Sequence, residues 1–151
     1  MTAPAAVGID PGKGGGIALV YADGTAEAYK MPETERDLLD LFLELRTRWY
    51  FKVSLPVAVV EVVHAMPGQG VTSMFTFGRG YGAVRMAALA CGFRLVEVTP
   101  QKWQAALGCR TKGDKNVSKR RAQELFPTVK KITHATADAL LIAEWGRRTQ
   151  P

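Results

Sequence analysis

The chain predicts an α/β protein in which an antiparallel ribbon of strands feeds a mixed sheet covered by helices. Three observations predict it. The first thirty residues alternate in polarity between turns rich in glycine, as short paired strands do. A β-branched run, Val57-Ala58-Val59-Val60-Glu61-Val62-Val63, stands between two segments with helical apolar spacing. After a last strand near residue 98, only helical signals follow.

Val7-Gly8-Ile9-Asp10 alternates as a half-buried strand requires. The turn Pro11-Gly12-Lys13-Gly14-Gly15-Gly16 follows, and its glycines permit angles closed to other residues and let a polyanion approach the main chain. Residues 17–21 and 26–31 are the next two strands, split by the turn signal Asp23-Gly24. Thr34 or Glu35 opens a helix with the stripe Leu38, Leu41, Phe42, Leu45 and Trp49. Pro56 resets the chain before strand 57–63, which suits burial on both faces and which Glu61 interrupts. Beyond the loop Pro67-Gly68-Gln69-Gly70, a long helix over 72–91 carries one apolar face, Met74, Phe77, Tyr81, Val84, Ala88 and Cys91. Its Gly78, Gly80 and Gly82 each weaken an isolated helix by ~1 kcal/mol relative to alanine, so they imply close packing or backbone contact there. Residues 94–98 are a strand, and Thr99-Pro100 starts a helix with Thr as N-cap. Asn116 or Ser118 starts another that ends near Pro127, and Thr136 caps a last helix carrying Asp138, Leu141, Ile142 and Trp145.

Composition narrows the class. With 151 residues, 47% of them apolar and 23% charged, the chain reads as one soluble domain over residues 1–151. No apolar run approaches the ~20 residues that span a bilayer. The N-terminal Met1-Thr2-Ala3-Pro4-Ala5-Ala6 lacks the regions of a signal peptide. Cys91 and Cys109 show no metal-ligand spacing and read as reduced thiols of a cytoplasmic protein. The net charge of +6 is unevenly spread: residues 110–121 hold six basic side chains against one acid, and Lys130 and Lys131 follow. One-sided clustering favours a phosphate-binding surface over a solvated helix face.

Three acids occupy places where acids are costly: Asp10 where a strand runs out, Glu61 inside an apolar strand, and Asp138 in the first turn of the last helix. Converging carboxylates repel one another, and a divalent cation removes the repulsion. Hard oxygen donors without a cysteine pair favour magnesium or manganese over zinc. Taken singly, Asp10 also fits the start of a tight turn and Asp138 a partner of the helix dipole. Glu61 has no such ordinary explanation.

These segments together resemble the RuvC-type Holliday junction resolvases of the ribonuclease H-like superfamily. The resemblance is carried by Gly8-Ile9-Asp10-Pro11-Gly12, by a Glu in the Val-rich strand, and by Ala137-Asp138-Ala139-Leu140-Leu141-Ile142-Ala143. Met66-Pro67-Gly68-Gln69-Gly70 through Phe75-Thr76-Phe77-Gly78-Arg79 is similar to the phage and organellar branch, which would place the protein in a host cytoplasm. The resemblance implies a ribonuclease H-like mixed sheet flanked by helices. It implies Mg2+-dependent cleavage of four-way junction DNA by paired nicks, with two ions per site held by Asp10, Glu61 and Asp138 and Mn2+ able to substitute. Products would carry a 5′ phosphate and a 3′ hydroxyl. It also implies a homodimer, no membrane and no small-molecule cofactor. Related enzymes carry an acid or histidine three residues before the last Asp; here that place is Ala135, with His134 one residue further away. His134 is either a fourth site residue or a structural histidine.

DNA contact needs other groups. Lys13, Arg79, Lys112, Lys115, Lys119 and Arg120 are the candidate phosphate contacts, which position a duplex without reading its sequence. Phe75 either stacks at the open centre of a junction or fills the core, and His64 either lines the DNA groove or is a loop residue without a role. The face Met74, Phe77, Tyr81 and Val84 exceeds what a small sheet needs to cover, which suggests that the long helix forms the dimer interface. Other readings stay open: a non-catalytic junction-binding module, or a nuclease for RNA–DNA hybrids or other branched nucleic acids. A sugar kinase or actin-like ATPase shares the Gly8-Ile9-Asp10 signal, but needs two such domains.

Overall fold

A computed structural model describes residues 3–49 and 55–151; Met1 and Thr2 of the N-terminal segment read above lie outside them. Five strands form one sheet in the order β3-β2-β1-β4-β5. β1 (Pro4–Asp10), β2 (Gly16–Tyr21) and β3 (Ala26–Lys30) make an antiparallel ribbon. β4 (Val57–Glu61) lies parallel to β1, and β5 (Arg94–Val98) parallel to β4. The mixed sheet is the one expected.

Side chains alternate across a strand, so the sheet separates two cores. On one face, Val7, Ile9, Ile17, Leu19, Ala58 and Val60 meet α1 (Glu35–Arg46) and α2 (Val71–Ala90). There Phe93 takes Phe42 and Trp49 edge-on, at ring separations of 5.9 and 5.6 Å. On the other face, Ala6, Ala18, Val20, Val57 and Val59 meet α3 (Pro100–Ala106), α4 (Lys115–Leu125) and above all α5 (His134–Thr149). β1 is therefore covered on both faces and is not the half-buried strand its alternation suggested. Gly8 supplies the apparent polar half of that pattern, and its reason is contact. A Cβ at Gly8 would stand 2.2 Å from the Ala139 carbonyl oxygen and 2.4 Å from the Ala143 nitrogen. The α5 backbone rests directly on β1.

Capping moves several boundaries. Thr34 caps α1 by accepting from Asp37 N at 3.0 Å, and Thr99 caps α3 with Pro100 following, both as expected. Trp49 falls in a 3-10 turn beyond α1 but stays buried. α4 starts earlier than either expected residue, because the Asp114 carboxylate accepts from Asn116 N at 2.9 Å. Thr133, not Thr136, is the N-cap of α5. Thr136 completes a reciprocal capping box, accepting from Thr133 N at 3.1 Å. His134 thus becomes the first helical residue, and Asp138 stands one turn in rather than in the first turn. β4 stops at Glu61, so this acid ends the strand and does not interrupt it.

α2 differs most from expectation. Val84 and Ala88 are buried and Tyr81 packs against the same core, so the second half of the expected face turns inward, while Met74 and Phe77 are only half-buried. Gly78, Gly80 and Gly82 have nothing within 4 Å of the place a Cβ would take. Among the described residues they pack against nothing. Among the described residues no helix is long and apolar enough to cross a membrane.

The contact of α5 with β1 makes a direct prediction. Gly8→Ala forces main chain against main chain, which no side-chain rearrangement relieves. Its urea unfolding midpoint should fall by at least about 2 kcal/mol of stability, whereas Gly24→Ala, which meets only open space and a positive φ, should cost less.

Candidate active site

Period-two geometry gathers the acids. Residues 6, 8 and 10 of β1 and residues 57, 59 and 61 of β4 face the α5 side. The parallel register pairs Gly8 with Val59 and Ile9 with Val60, and carried on by one residue it sets Asp10 beside Glu61. Adjacent strands lie about 4.8 Å apart. α5 crosses above them, brought down at Gly8, and delivers Asp138. The three carboxylates feel one another. Asp10 is pushed up to about 8, first by burial and then by the charges of Asp138 and Glu61, with Lys115 opposing. Glu61 is raised by burial and by Asp138, against the pull of a hydrogen bond from Trp103. Asp138 is raised by burial, while Ser118, Lys115 and His134 hold it down.

Among the described residues no group of three His, Cys, Asp or Glu side chains stands close enough together to hold a metal ion, so the carboxylates are electrostatic neighbours and not an assembled ligand set. The donor set nonetheless fits a hard divalent cation. Burial raises the proton affinity of all three, neighbouring carboxylates raise that of Asp10 and Glu61 further, and a double positive charge relieves this as well as protons do. No side-chain hydrogen bond reaches Asp10 from the described residues, which leaves both its oxygens free for such an ion. Cys109 does not join them: burial first and the Asp138 charge second push its thiol up to about 11.

His134 lies four residues before Asp138 on α5, on the same face of the helix, and its charge is felt by that carboxylate. The spacing expected from related enzymes is three; here it is four, which on a helix still puts both residues on one face. Lys115 was read as a phosphate contact only. It opens α4 with its field reaching both Asp10 and Asp138.

Two neighbours were not foreseen. Trp103 Nε1 donates to Glu61 Oε2 at 2.7 Å. The Ser118 hydroxyl lies at Asp138 and also within 3.2 Å of the Lys115 carbonyl oxygen; its one proton serves either acceptor, not both. The first had a signal in the sequence, since a buried indole needs an acceptor and Glu61 is a strand acid in need of a donor.

The remaining candidates spread over the surface around the acids. Lys13 is exposed in the glycine turn, where Gly12 adopts φ +99° against the Phe77 ring. A cleft of about 780 Å³ opens between this turn, residues 31–35 and the first half of α2, lined by Lys13, Thr34, Phe77 and Arg79. Arg79 pairs with Glu35 at 3.2 Å, both largely exposed. Phe75 is 73% exposed, which overturns its reading as a core aromatic. Lys112 sits at φ 48° in the turn before α4, with Lys119 and Arg120 on the helix itself, and His64 is exposed in the loop after β4. Arg121 is taken up by the Leu107 carbonyl oxygen at 2.8 Å and by Glu124.

No protein-family model matches the chain, and no curated protein matches it in sequence. Solved structures do share its fold. The structure of T. thermophilus RuvC in complex with a Holliday junction substrate aligns at a TM-score of 0.61 with 22% identity, over 91% of this chain and 88% of that one. A further Thermus thermophilus RuvC structure aligns at 0.58 with 20% identity, over 91% and 90%. The yeast mitochondrial Holliday junction resolvase Ydc2 aligns over 97% of this chain and 80% of its own, at 0.48 and 14% identity. The chain has the RuvC fold, a ribonuclease H-like fold.

The raised Asp10 fixes a pH dependence. Folded Asp10 keeps its proton to about pH 8 whereas the unfolded residue loses it near 3.8, so between those values the folded chain binds more protons and stability falls as pH rises. Asp10→Asn, measured by urea unfolding in chelator, should be more stable than wild type. Its advantage should grow across that window to several kcal/mol and shrink when Mg2+ is added.

Proposed function

We propose that the chain is a structure-selective DNA endonuclease that resolves four-way junctions by paired nicks. The convergence of Asp10, Glu61 and Asp138 at one end of the sheet, on a fold shared with a RuvC solved on a Holliday junction, carries this reading. Asp10, Glu61 and Asp138 would hold the metal, two Mg2+ ions with Mn2+ as a substitute. Bound metal would supply an activated water and neutralise the departing 3′ oxygen, leaving a 5′ phosphate. The chain's own residues do the rest. Asp10 spans the site from the strand end, Glu61 is fixed by Trp103, and Asp138 rides on α5. Lys115 sits where a scissile phosphate would approach two carboxylates and offsets the repulsion between them. His134, one turn before Asp138, is placed to move a proton at the same edge. Lys13, Lys112, Lys119 and Arg120 would take backbone phosphates on either side. Arg79 would join them by leaving Glu35, a surface pair worth about 0–1 kcal/mol. Phe75 would stack on an unpaired base at the junction centre.

Paired nicks call for two sites related by a two-fold axis, and α2 offers the surface. Val71, Phe75, Gly78, Gly82, Met86 and Leu89 follow one another at steps of four, three, four, four and three, a single helical stripe. The four apolar members are 87%, 73%, 63% and 48% exposed, and the two glycines have open space before them. A second copy seated on its Gly78–Leu89 part would bury Met86 and Leu89 and bring the glycine backbones close, leaving Phe75 exposed to the junction.

A mobile four-way junction with Mg2+ and strand-resolved products tests the activity. Symmetric paired nicks are expected, and Asp10→Asn, Glu61→Gln and Asp138→Asn should each lose at least about two orders of magnitude in rate while still binding the junction. Binding without any cleavage by the wild type would favour the binding-module alternative. For the assembly, wild type should sediment as a dimer and Met86→Glu as a folded monomer, because a carboxylate on that stripe costs several kcal/mol when buried.

A further inference from the structure

One oxygen of Glu61 is already engaged before any cation arrives. The Trp103 indole Nε1 donates to Oε2 at 2.7 Å. Trp103 is fully buried, in the core that contains Val59, Val98 and Leu107. Its helix is pinned at the start by the Thr99 cap on Lys102 N, at 3.3 Å, and by Pro100. An indole N–H donates and never accepts, and it does not titrate, so this contact has one polarity at every pH. A lysine or serine on the surface would offer neither that rigidity nor that constancy.

We infer that Trp103 is a positioning residue for Glu61, holding Oε2 so that Oε1 is the oxygen left to a divalent cation. The inference rests on the reading of Asp10, Glu61 and Asp138 as a metal site. It adds that Glu61 binds through one oxygen, and that the donor restricting it comes from the core on the α5 side of the sheet. A carboxylate free to turn would offer either oxygen or both, and would lose rotational freedom on binding. With Trp103 in place, that ordering is done when the chain folds.

A merely structural indole would matter to stability and to nothing else, so metal affinity is the readout. Trp103→Phe keeps an apolar ring and deletes the donor; its Mn2+ affinity by titration calorimetry should fall about 10–100-fold. Trp145→Phe removes another buried indole of the same core and should lose stability with Mn2+ affinity unchanged. In the wild type, the Trp103 indole N–H resonance should shift when Mg2+ is added and again in Glu61→Gln. The Trp49 resonance, whose indole donates to the Pro4 carbonyl at 3.2 Å, should stay in place. This spectroscopic arm decides the matter even where Trp103→Phe does not fold. Wild-type Mn2+ affinity in Trp103→Phe, or a Trp103 resonance that ignores Mg2+ in a protein that binds it and cuts junctions, overturns this inference alone. A wild type that neither binds Mn2+ nor cuts junctions overturns the nuclease reading and this inference with it.

Discussion

The seating of the α5 backbone on β1 is the constraint on which the rest of the structure depends. Helices usually stand off a sheet by the thickness of two side-chain layers. Here Gly8 removes one layer, Gly16 does the same where its missing Cβ would meet the Ala135 carbonyl oxygen at 2.5 Å, and Gly146 does so from the helix side against Val59. Three glycines in register let one helix lie close along two strands. The close approach is what sets Asp138 within the field of Asp10, since a helix held a layer further out would leave the strand-end acid to solvent. The fold thereby keeps three partly buried carboxylates together at a cost that only a well-packed sheet can offset. Burial of Ala6, Val7 and Ile9 of β1 and of Val57, Ala58, Val59 and Val60 of β4, on both faces, supplies that offset.

The three acids are not equivalent, and their differences follow from their neighbours. Asp138 has a hydroxyl, a lysine and a histidine beside it; Glu61 has an indole donor; Asp10 has only the distant field of Lys115. Asp10 is accordingly the most perturbed. A carboxylate with hydrogen-bond donors of its own is partly solvated by the protein, and one without them depends on what binds. Asp10 is thus the acid with most to gain from a cation, and it also adjoins the glycine turn, whose bare backbone would let a phosphate come close.

Much of this was legible in the sequence, and the failures have physical causes. The antiparallel ribbon, the α/β class and the candidacy of the three acids follow from periodicity and from the cost of burying charge. Asp10 and Glu61 fall on one face because strand periodicity is two, a rule indifferent to tertiary context. Helix starts were harder. Asp114 and Thr133 compete with Asn116, Ser118 and Thr136, all of them good capping types, and only the final geometry selects among them. Trp103 was missed because its partner lies 42 residues away, a relation that no local pattern encodes. Glu61 seemed to interrupt a strand because Val62 and Val63 continue the β-branched run beyond it, although the ladder ends at the acid.

α2 shows why a helix that is apolar nearly all round defeats pattern reading. Its residues offer two stripes of helical spacing, Met74–Phe77–Tyr81–Val84 and Val71–Phe75–Gly78–Gly82–Met86–Leu89, and sequence alone cannot say which one the chain covers itself. The core takes the Tyr81–Val84 half of the first. Phe77, on that stripe, sets its ring against Gly12 in the turn after Asp10, so the helix braces that turn directly. A second subunit seated on the outer stripe would then be joined to the site through one rigid element of 20 residues. The two sites of such a dimer would have their separation fixed by helix packing and not by loops, which suits a substrate whose two scissile phosphates are held at a set distance by the junction itself.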